Sequence, residues 1–221
     1  MAAAQKKLKS GDKTLKDQIE LLDEVFTVLS KGEPARKLLN SSNKKDLMAL
    51  QLITSKPVLY VCNVLEEHAG TGNNFTEIIA KKAEKEGADC VVISSKIEAE
   101  ISLLESLEEK QEFLSSLNLS ETGLSKIIKA GYKLLDLQSF FTIGPKEAHA
   151  WTFEKGILAP KAAGIIHTDF EKGFIRAEVI SYEDYVTVGN ETKIKEMGKM
   201  RLEGKEYKLQ DGDIIHFRFN V

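Results

Sequence analysis

Apolar residues at Leu15, Ile19, Leu22, Phe26 and Leu29 recur in steps of four, three, four and three. That is the a/d seam of a heptad, and it predicts a helix of about four turns over residues 14–30 with one narrow apolar stripe. Gly32 is placed to stop this helix and Pro34 to start a short one over 35–39. Ser41, Ser42 or Asn43 supplies a cap for another that runs through Leu47, Leu50, Leu52 and Ile53. A stripe so narrow needs a partner surface. Three are open: the 43–53 helix, a second copy of the chain, or a partner helix outside these residues.

The period then changes. Residues 57–63 (PVLYVCN) form a continuous apolar run that predicts a strand buried on both faces, as in a parallel sheet. A loop rich in Gly and Asn at 70–74, a helix over 75–86 and a second apolar strand over 89–94 complete a βαβ unit. Further helices are predicted over 97–106, 108–117 and 121–135, the last capped by Ser120. From Gln138 the runs become short, aromatic and β-branched. Strands are predicted over 139–143, 148–153, 174–181 and 214–220, with helices near 160–166 and 192–200 and a turn at Asp211-Gly212-Asp213. A small mixed sheet with one or two helices is an α+β domain, and the β-grasp arrangement is its natural candidate.

Composition narrows the function classes. With 221 residues there is room for one large domain or two small ones. A net charge of −3 and a pI near 5.9 argue against a polyelectrolyte-type nucleic-acid binder, although local basic patches remain open. Cys62 and Cys90 form no CxxC pair and have no His at ligand spacing, so they read as buried thiols in a reducing cytosol. No apolar run is long enough to span a bilayer, and the first residues lack a signal-peptide core. The expectation is a cytoplasmic protein without a membrane partner.

Candidate chemistry gathers beyond the first strand, where α/β sheets collect ligands. Asn63 offers a donor and an acceptor to a purine edge, and Glu66 offers a carboxylate three residues on. The alternative for Asn63-Val64-Leu65-Glu66 is a polar loop that caps the next helix. Ser94-Ser95-Lys96 ends the second strand, either as a close-approach loop or as an ordinary cap. No Gly-x-x-x-x-Gly-Lys-Ser/Thr occurs in these residues, and no Asp-x-x-Gly follows a strand to serve a magnesium ion. Gly70-Thr71-Gly72 is too short for a phosphate cradle. His68, His149, His167 and His216 are dispersed, and no nucleophilic triad or metal set can be assembled. Toward the C-terminus, Lys161, His167, Lys172, Arg176, Lys199, Arg201 and Lys205 are interleaved with Phe170, Phe174 and Tyr182. Basic groups among aromatics suit RNA. Asp169, Glu171, Glu178, Glu183 and Asp184 interrupt them, so a mixed-charge surface over an aromatic core stays equally open.

The run from His167 to Ala177 (HTDFEKGFIRA) is too particular for alternation alone to require. It stands with Phe140-Phe-Thr-Ile-Gly144, Ala150-Trp-Thr-Phe153, Ala159-Pro-Lys-Ala-Ala-Gly164 and Gly198-Lys-Met-Arg-Leu-Glu-Gly204. Together these resemble the C-terminal TGS domain of the YchF / Obg-like ATPase family. Lys56-Pro-Val-Leu-Tyr-Val-Cys-Asn-Val-Leu-Glu66 is similar to that family's late G-domain strand, with Asn-x-x-Glu where other GTPases carry Asn-Lys-x-Asp. The segment 123–138 resembles the helix leading out of the G domain.

The resemblance implies a fold: an α/β remnant of a P-loop G domain with a helical arm, followed by an α+β β-grasp (ubiquitin-like) TGS domain. Its parts would be a partial coiled-coil arm at 1–54, the end of the G domain at 55–135 and the TGS domain at 136–221. It also implies binding of ATP, or GTP, with Mg2+, and association with ribosomes or other RNA. Asn63, Val64, Glu66, Ser94 and Ser95 would touch the base. Lys161, His167, Lys172, Arg176, Lys199 and Arg201 would face RNA or a protein partner. The seam on Leu15, Ile19, Leu22, Phe26 and Leu29 would await a protein helix. P-loop and switch residues would precede Met1, so no catalytic or metal residue is assigned and no tightly held nucleotide is expected. Two functions follow: an interaction module acting through the TGS domain without hydrolysis, or one half of a split translation-linked ATPase needing a P-loop-bearing partner chain.

Overall fold

The computed structural model describes residues 13–220 except Ser41 and Pro145, with no side-chain description for residues 13–15. Of the sequence expectations, the Leu15 side chain and the Ser41 cap therefore lie outside the described residues. The chain divides between Leu134 and Leu135 into two compact units.

In the first unit, α1 (Lys13–Ser30) is followed by a 3-10 turn at Ala35–Leu38, α2 (Lys44–Ala49) and a second 3-10 turn at Ile53–Ser55. The helix expected to run on to residue 53 ends at Ala49 because Gln51 takes a left-handed φ of 52°. Val25 is buried with Ala35 and Leu47, and Leu21, Leu38, Leu50 and Leu52 pack around them. The heptad seam is buried only in part: Ile19 and Leu22 are half-buried, while the core contact of α1 centres on Leu21 and Val25. Leu21 and Val25 lie one residue away from Leu22 and Phe26, about 100° around the helix. Phe26 stays 65% exposed and Leu29 39%.

β1 (Leu59–Asn63) and β2 (Asp89–Ile93) pair in parallel, from Leu59 opposite Asp89 to Asn63 opposite Ile93. The crossover is α3 (Asn74–Glu86). Asn73 Oδ1 accepts from the Phe75 and Thr76 amides, Thr76 Oγ1 accepts from the Asn73 amide, and Gly87 closes the helix at φ 66°. α4 (Ser95–Ser102), α5 (Leu107–Ser116) and α6 (Gly123–Leu134) follow. Ser120 is not the cap of α6. Thr122 Oγ1 accepts from the Ser125 amide, and the Glu98 carboxylate reaches across from α4 to accept from the Gly123 and Leu124 amides at 2.6 and 3.1 Å. A Cβ on Gly123 would lie 2.8 Å from the Ile93 side chain, so glycine is what lets α6 sit against β2. The first strand was expected to be buried on both faces. In the structure it is half-buried and Val61 is 44% exposed, because among the described residues this sheet has two strands and no third lies beside them.

The second unit is a five-stranded mixed sheet in the order β4-β3-β7-β5-β6. β3 (Leu137–Ile143) and β4 (Ala148–Glu154) form an antiparallel hairpin. α7 (Ala159–Ile166) and α8 (Thr168–Lys172) lead to β5 (Phe174–Ile180); α9 (Tyr182–Val188) and α10 (Glu191–Glu196) lead to β6 (Arg201–Glu203); and β7 (Ile214–Phe219) ends the unit. β7 lies parallel to β3 and antiparallel to β5. The turn at 211–213 fixes that placement: Asp211 Oδ1 accepts from the Ser139 amide, and the Phe141 amide donates to the Asp213 carbonyl at 2.8 Å. Alternation sends Phe140, Phe153, Phe217 and Val179 into one core with Ala159, Ala162 and Ala163 of α7. It sends Phe141 and Ile143 toward a second, smaller core formed with Ile180, Ile194 and Ile214. α8, α9 and β6 were not anticipated, being only three to seven residues long. The helix expected over 192–200 is shorter and is capped by Asn190.

Candidate functional site

Both loops that leave the carboxyl ends of the parallel strands meet. Asn63, the last residue of β1, is exposed, and its Oδ1 accepts the Ser95 amide at 2.9 Å. The Val64 amide donates to the Ile93 carbonyl at 2.9 Å, which extends the ladder one residue past β1. Glu66 opens a 3-10 turn and pairs through Oε2 with Lys96 Nζ at 2.7 Å; this hydrogen bond, reinforced by the Glu66 charge, raises the Lys96 pKa. Asn63, Val64, Glu66, Ser95 and Lys96 therefore share one edge. Ser94 sits at the cap position of α4 but turns inward: it is 3% exposed and its hydroxyl has no partner among the described residues. Lys96 adjoined the expected serines, yet its pairing with Glu66 across 30 residues had no local signal in the sequence.

The basic candidates of the second unit are not one patch. Lys161 pairs with Glu171, Lys199 with Asp184, and Arg176 lies 3.8 Å from Glu178. The His167 ring accepts the Asp169 amide as the cap of α8. Lys172 is exposed and has no ion pair among the described residues. The aromatics are mostly committed elsewhere: Phe174 is core, Phe170 packs against the core, and Tyr182 is 54% exposed. Arg218 escaped the sequence reading. It grips Glu178 through Nε and NH2 at 3.1 and 3.0 Å and holds that carboxyl below the usual range. The signal was the period-two placement of His216 and Arg218 on β7.

Arg201, itself exposed, is tied into a network around the buried Asp213. Its guanidinium lies 3.1 Å from the Tyr207 hydroxyl and 3.3 Å from Asp213, which is 3% exposed. The Tyr207 hydroxyl donates to Asp213 at 2.7 Å, and the Gln210 amide donates to the same oxygen. Burial, and then Asp213, push the Tyr207 phenol from 10.0 up to about 12. A raised pKa in the folded state means the contribution is complete below pH 10 and is lost as pH climbs from 10 to about 12. Tyr207→Phe should remove that alkaline loss and cost ~1–3 kcal/mol at neutral pH, because buried Asp213 loses a donor. Urea unfolding at pH 8 and pH 10.5 measures both.

Among the described residues no group of three His, Cys, Asp or Glu could hold a metal ion, and no helix is long and apolar enough to cross a membrane.

The parallel pair with its helical crossover makes the first unit α/β, a class of fold in which ligands commonly gather beyond the carboxyl ends of the strands. Residues 137–220 match the family model YchF-GTPase_C, described as a protein of unknown function (DUF933). The chain is 48% identical over 220 residues to the ribosome-binding ATPase YchF of Haemophilus ducreyi, covering 98% of this chain and 60% of the relative. It is 48% identical over 216 residues to the protein of the same name from Bacillus subtilis, covering 96% and 59%. The YchF GTPase of Schizosaccharomyces pombe superposes with a TM-score of 0.80 at 33% identity, over 93% of this chain and 55% of that one. A GTP-binding protein from Pyrococcus horikoshii shares the fold, with a TM-score of 0.54 at 17% identity over 93% of this chain and 57% of that one. The chain is similar to YchF proteins over nearly its whole length, and residues 137–220 carry the YchF-GTPase_C match. It spans about 60% of the length of the curated relatives it matches.

Proposed function

We propose that these 221 residues carry the base-reading edge of a YchF-type nucleotide site together with a TGS interaction unit. The observation that carries this reading is the Asn63–Ser95 bond, which draws the two βα loops into one polar edge with Glu66 beside it. Asn63 keeps its amide donor for a purine, and Glu66 keeps its second oxygen. Ser94 supports the loop from inside. No phosphate cradle or Mg2+ motif occurs in these 221 residues, and phosphoryl transfer rests on both, so this portion would supply base contacts only. ATP or GTP would then be held weakly by this portion alone. Purified protein of this sequence should show no ATP turnover above a blank, and turnover by the pure protein would overturn the reading.

The second reading, a split ATPase completed by a P-loop-bearing chain, is favoured by the open seam at Phe26 and Leu29 and by the exposed Val61 of β1. Mixing the two polypeptides should restore hydrolysis. Asn63→Ala should then weaken nucleotide binding roughly tenfold, the loss of one hydrogen-bonding group.

The second unit has the strand order of a β-grasp: a hairpin, a central parallel pair, and a second antiparallel pair, with α7 on the main core. We read it as the TGS domain, a cytoplasmic contact surface for ribosomal or other RNA or for a protein. Of the candidate cations, Lys172 has no ion pair among the described residues and Arg176 has only a long contact, 3.8 Å to Glu178. Reversing both charges should weaken RNA binding and flatten its salt dependence by ~1–2 in the log–log slope. Unchanged affinity would remove these two residues from the surface.

A further inference from the structure

Cys62 and Cys90 are the only cysteines in the chain, and their sulfurs stand 3.7 Å apart. Neither is disulfide-bonded, and both are half-buried. They lie on adjacent parallel strands but not opposite each other: Cys90 faces Tyr60, and Cys62 faces Val92. They are diagonal neighbours on the sheet face where the Tyr60 hydroxyl reaches Glu86 of α3.

That offset decides what can join the sulfurs. Diagonal neighbours in a sheet have α-carbons roughly 7–8 Å apart. A disulfide wants about 4.4–6.8 Å, with sulfurs near 2.05 Å. Closing one here would drag two hydrogen-bonded strands out of register. A single bridging atom needs no such movement. Two sulfurs bonded at about 2.3 Å to one bridging atom, with a bond angle of about 90–110°, sit roughly 3.3–3.8 Å apart, within a few tenths of an ångström of the spacing already present. A divalent metal is nonetheless disfavoured: it needs further protein ligands, and no third His, Cys, Asp or Glu stands by among the described residues. It also needs two thiolates. Burial, and then the Cys62 thiol, push the Cys90 thiol up to about 11, so at neutral pH Cys90 keeps its proton.

We propose that Cys62 and Cys90 form a dithiol site for trivalent arsenicals, with one arsenic atom bridging the two sulfurs. An organoarsenical R–As(OH)2 completes its shell with the two thiols and its own organic group. Two As–O bonds break and two As–S bonds form. The thiol protons leave in two waters, and arsenic stays trivalent. The product is neutral, which suits a half-buried position. The bridge would tie β1 to β2 just below the Asn63–Ser95 contact.

Phenylarsine oxide, titrated into the protein of this sequence, tests the site. One equivalent should bind, both thiols should disappear from a maleimide titration, and a dithiol should reverse the adduct where an equal amount of monothiol does not. Cys62→Ser and Cys90→Ser should each lose the adduct. Two equivalents bound, thiols still open to maleimide, or an adduct retained by either single variant would overturn the proposal. So would a disulfide formed under peroxide in protein that keeps its fold. The thiol titration needs no variant, so misfolding of a serine mutant leaves the test intact.

Discussion

Phe140→Ala should destabilise the C-terminal unit by ~3–5 kcal/mol, as expected for a large aromatic removed from a closed core. Phe140 is fully buried, and its ring meets Trp151, Phe153 and Phe217 at centroid separations of 6.4, 5.9 and 5.8 Å. These partners come from β4 and β7, so one truncation loosens the hairpin and the central parallel pair together. Chemical denaturation followed by Trp151 fluorescence reads the loss directly, because Trp151 is the only tryptophan. A change below 1 kcal/mol would mean the core collapses around the gap and that Phe140 is not its centre.

Gly173→Ala should be nearly as damaging, at ~3 kcal/mol, for the opposite reason. Gly173 joins α8 to β5, and its carbonyl accepts the Asn220 amide at 2.9 Å. A Cβ there would meet the Asn220 carbonyl oxygen at 1.9 Å and its carbon at 2.8 Å. The obstacle is main chain, which cannot rotate aside. Relief requires β7 to part from the start of β5. Amide exchange should accelerate at Asn220 and in the strand just before it, and unchanged protection there would refute the clash.

The sequence exposed some of this well. The two apolar runs at 57–63 and 89–94 announced the βαβ unit because parallel strands carry little alternation. The second unit was legible because its aromatics recur at period two, and Phe140 and Phe141 do face opposite cores. Its smallest elements were not. A three-residue strand such as β6 has no periodicity to read and exists because β5 pairs with it. The start of α6 was misplaced because its strongest capping group, Glu98, comes from another helix. The candidate site shows the same division. Asn63 and the serines follow from strand ends, whereas the Glu66–Lys96 pair and the inward turn of Ser94 depend on how the loops fold back. Likewise, Lys161 and Lys199 read as available cations until α8 and α9 supply Glu171 and Asp184.

β7 is the last strand of its sheet to be synthesised, yet it lies between β3 and β5. A nascent chain leaving the ribosomal tunnel therefore holds a β3–β4 hairpin and a β5–β6 pair with nothing to join them, and such two-stranded pieces are marginal in water. Folding of this sheet waits on residues 214–219, because β7 pairs with both β3 and β5 and such long-range pairing forms late. A premature stop before residue 214 would not shorten this unit by one strand; it would leave two halves with their phenylalanines open to proteases and chaperones.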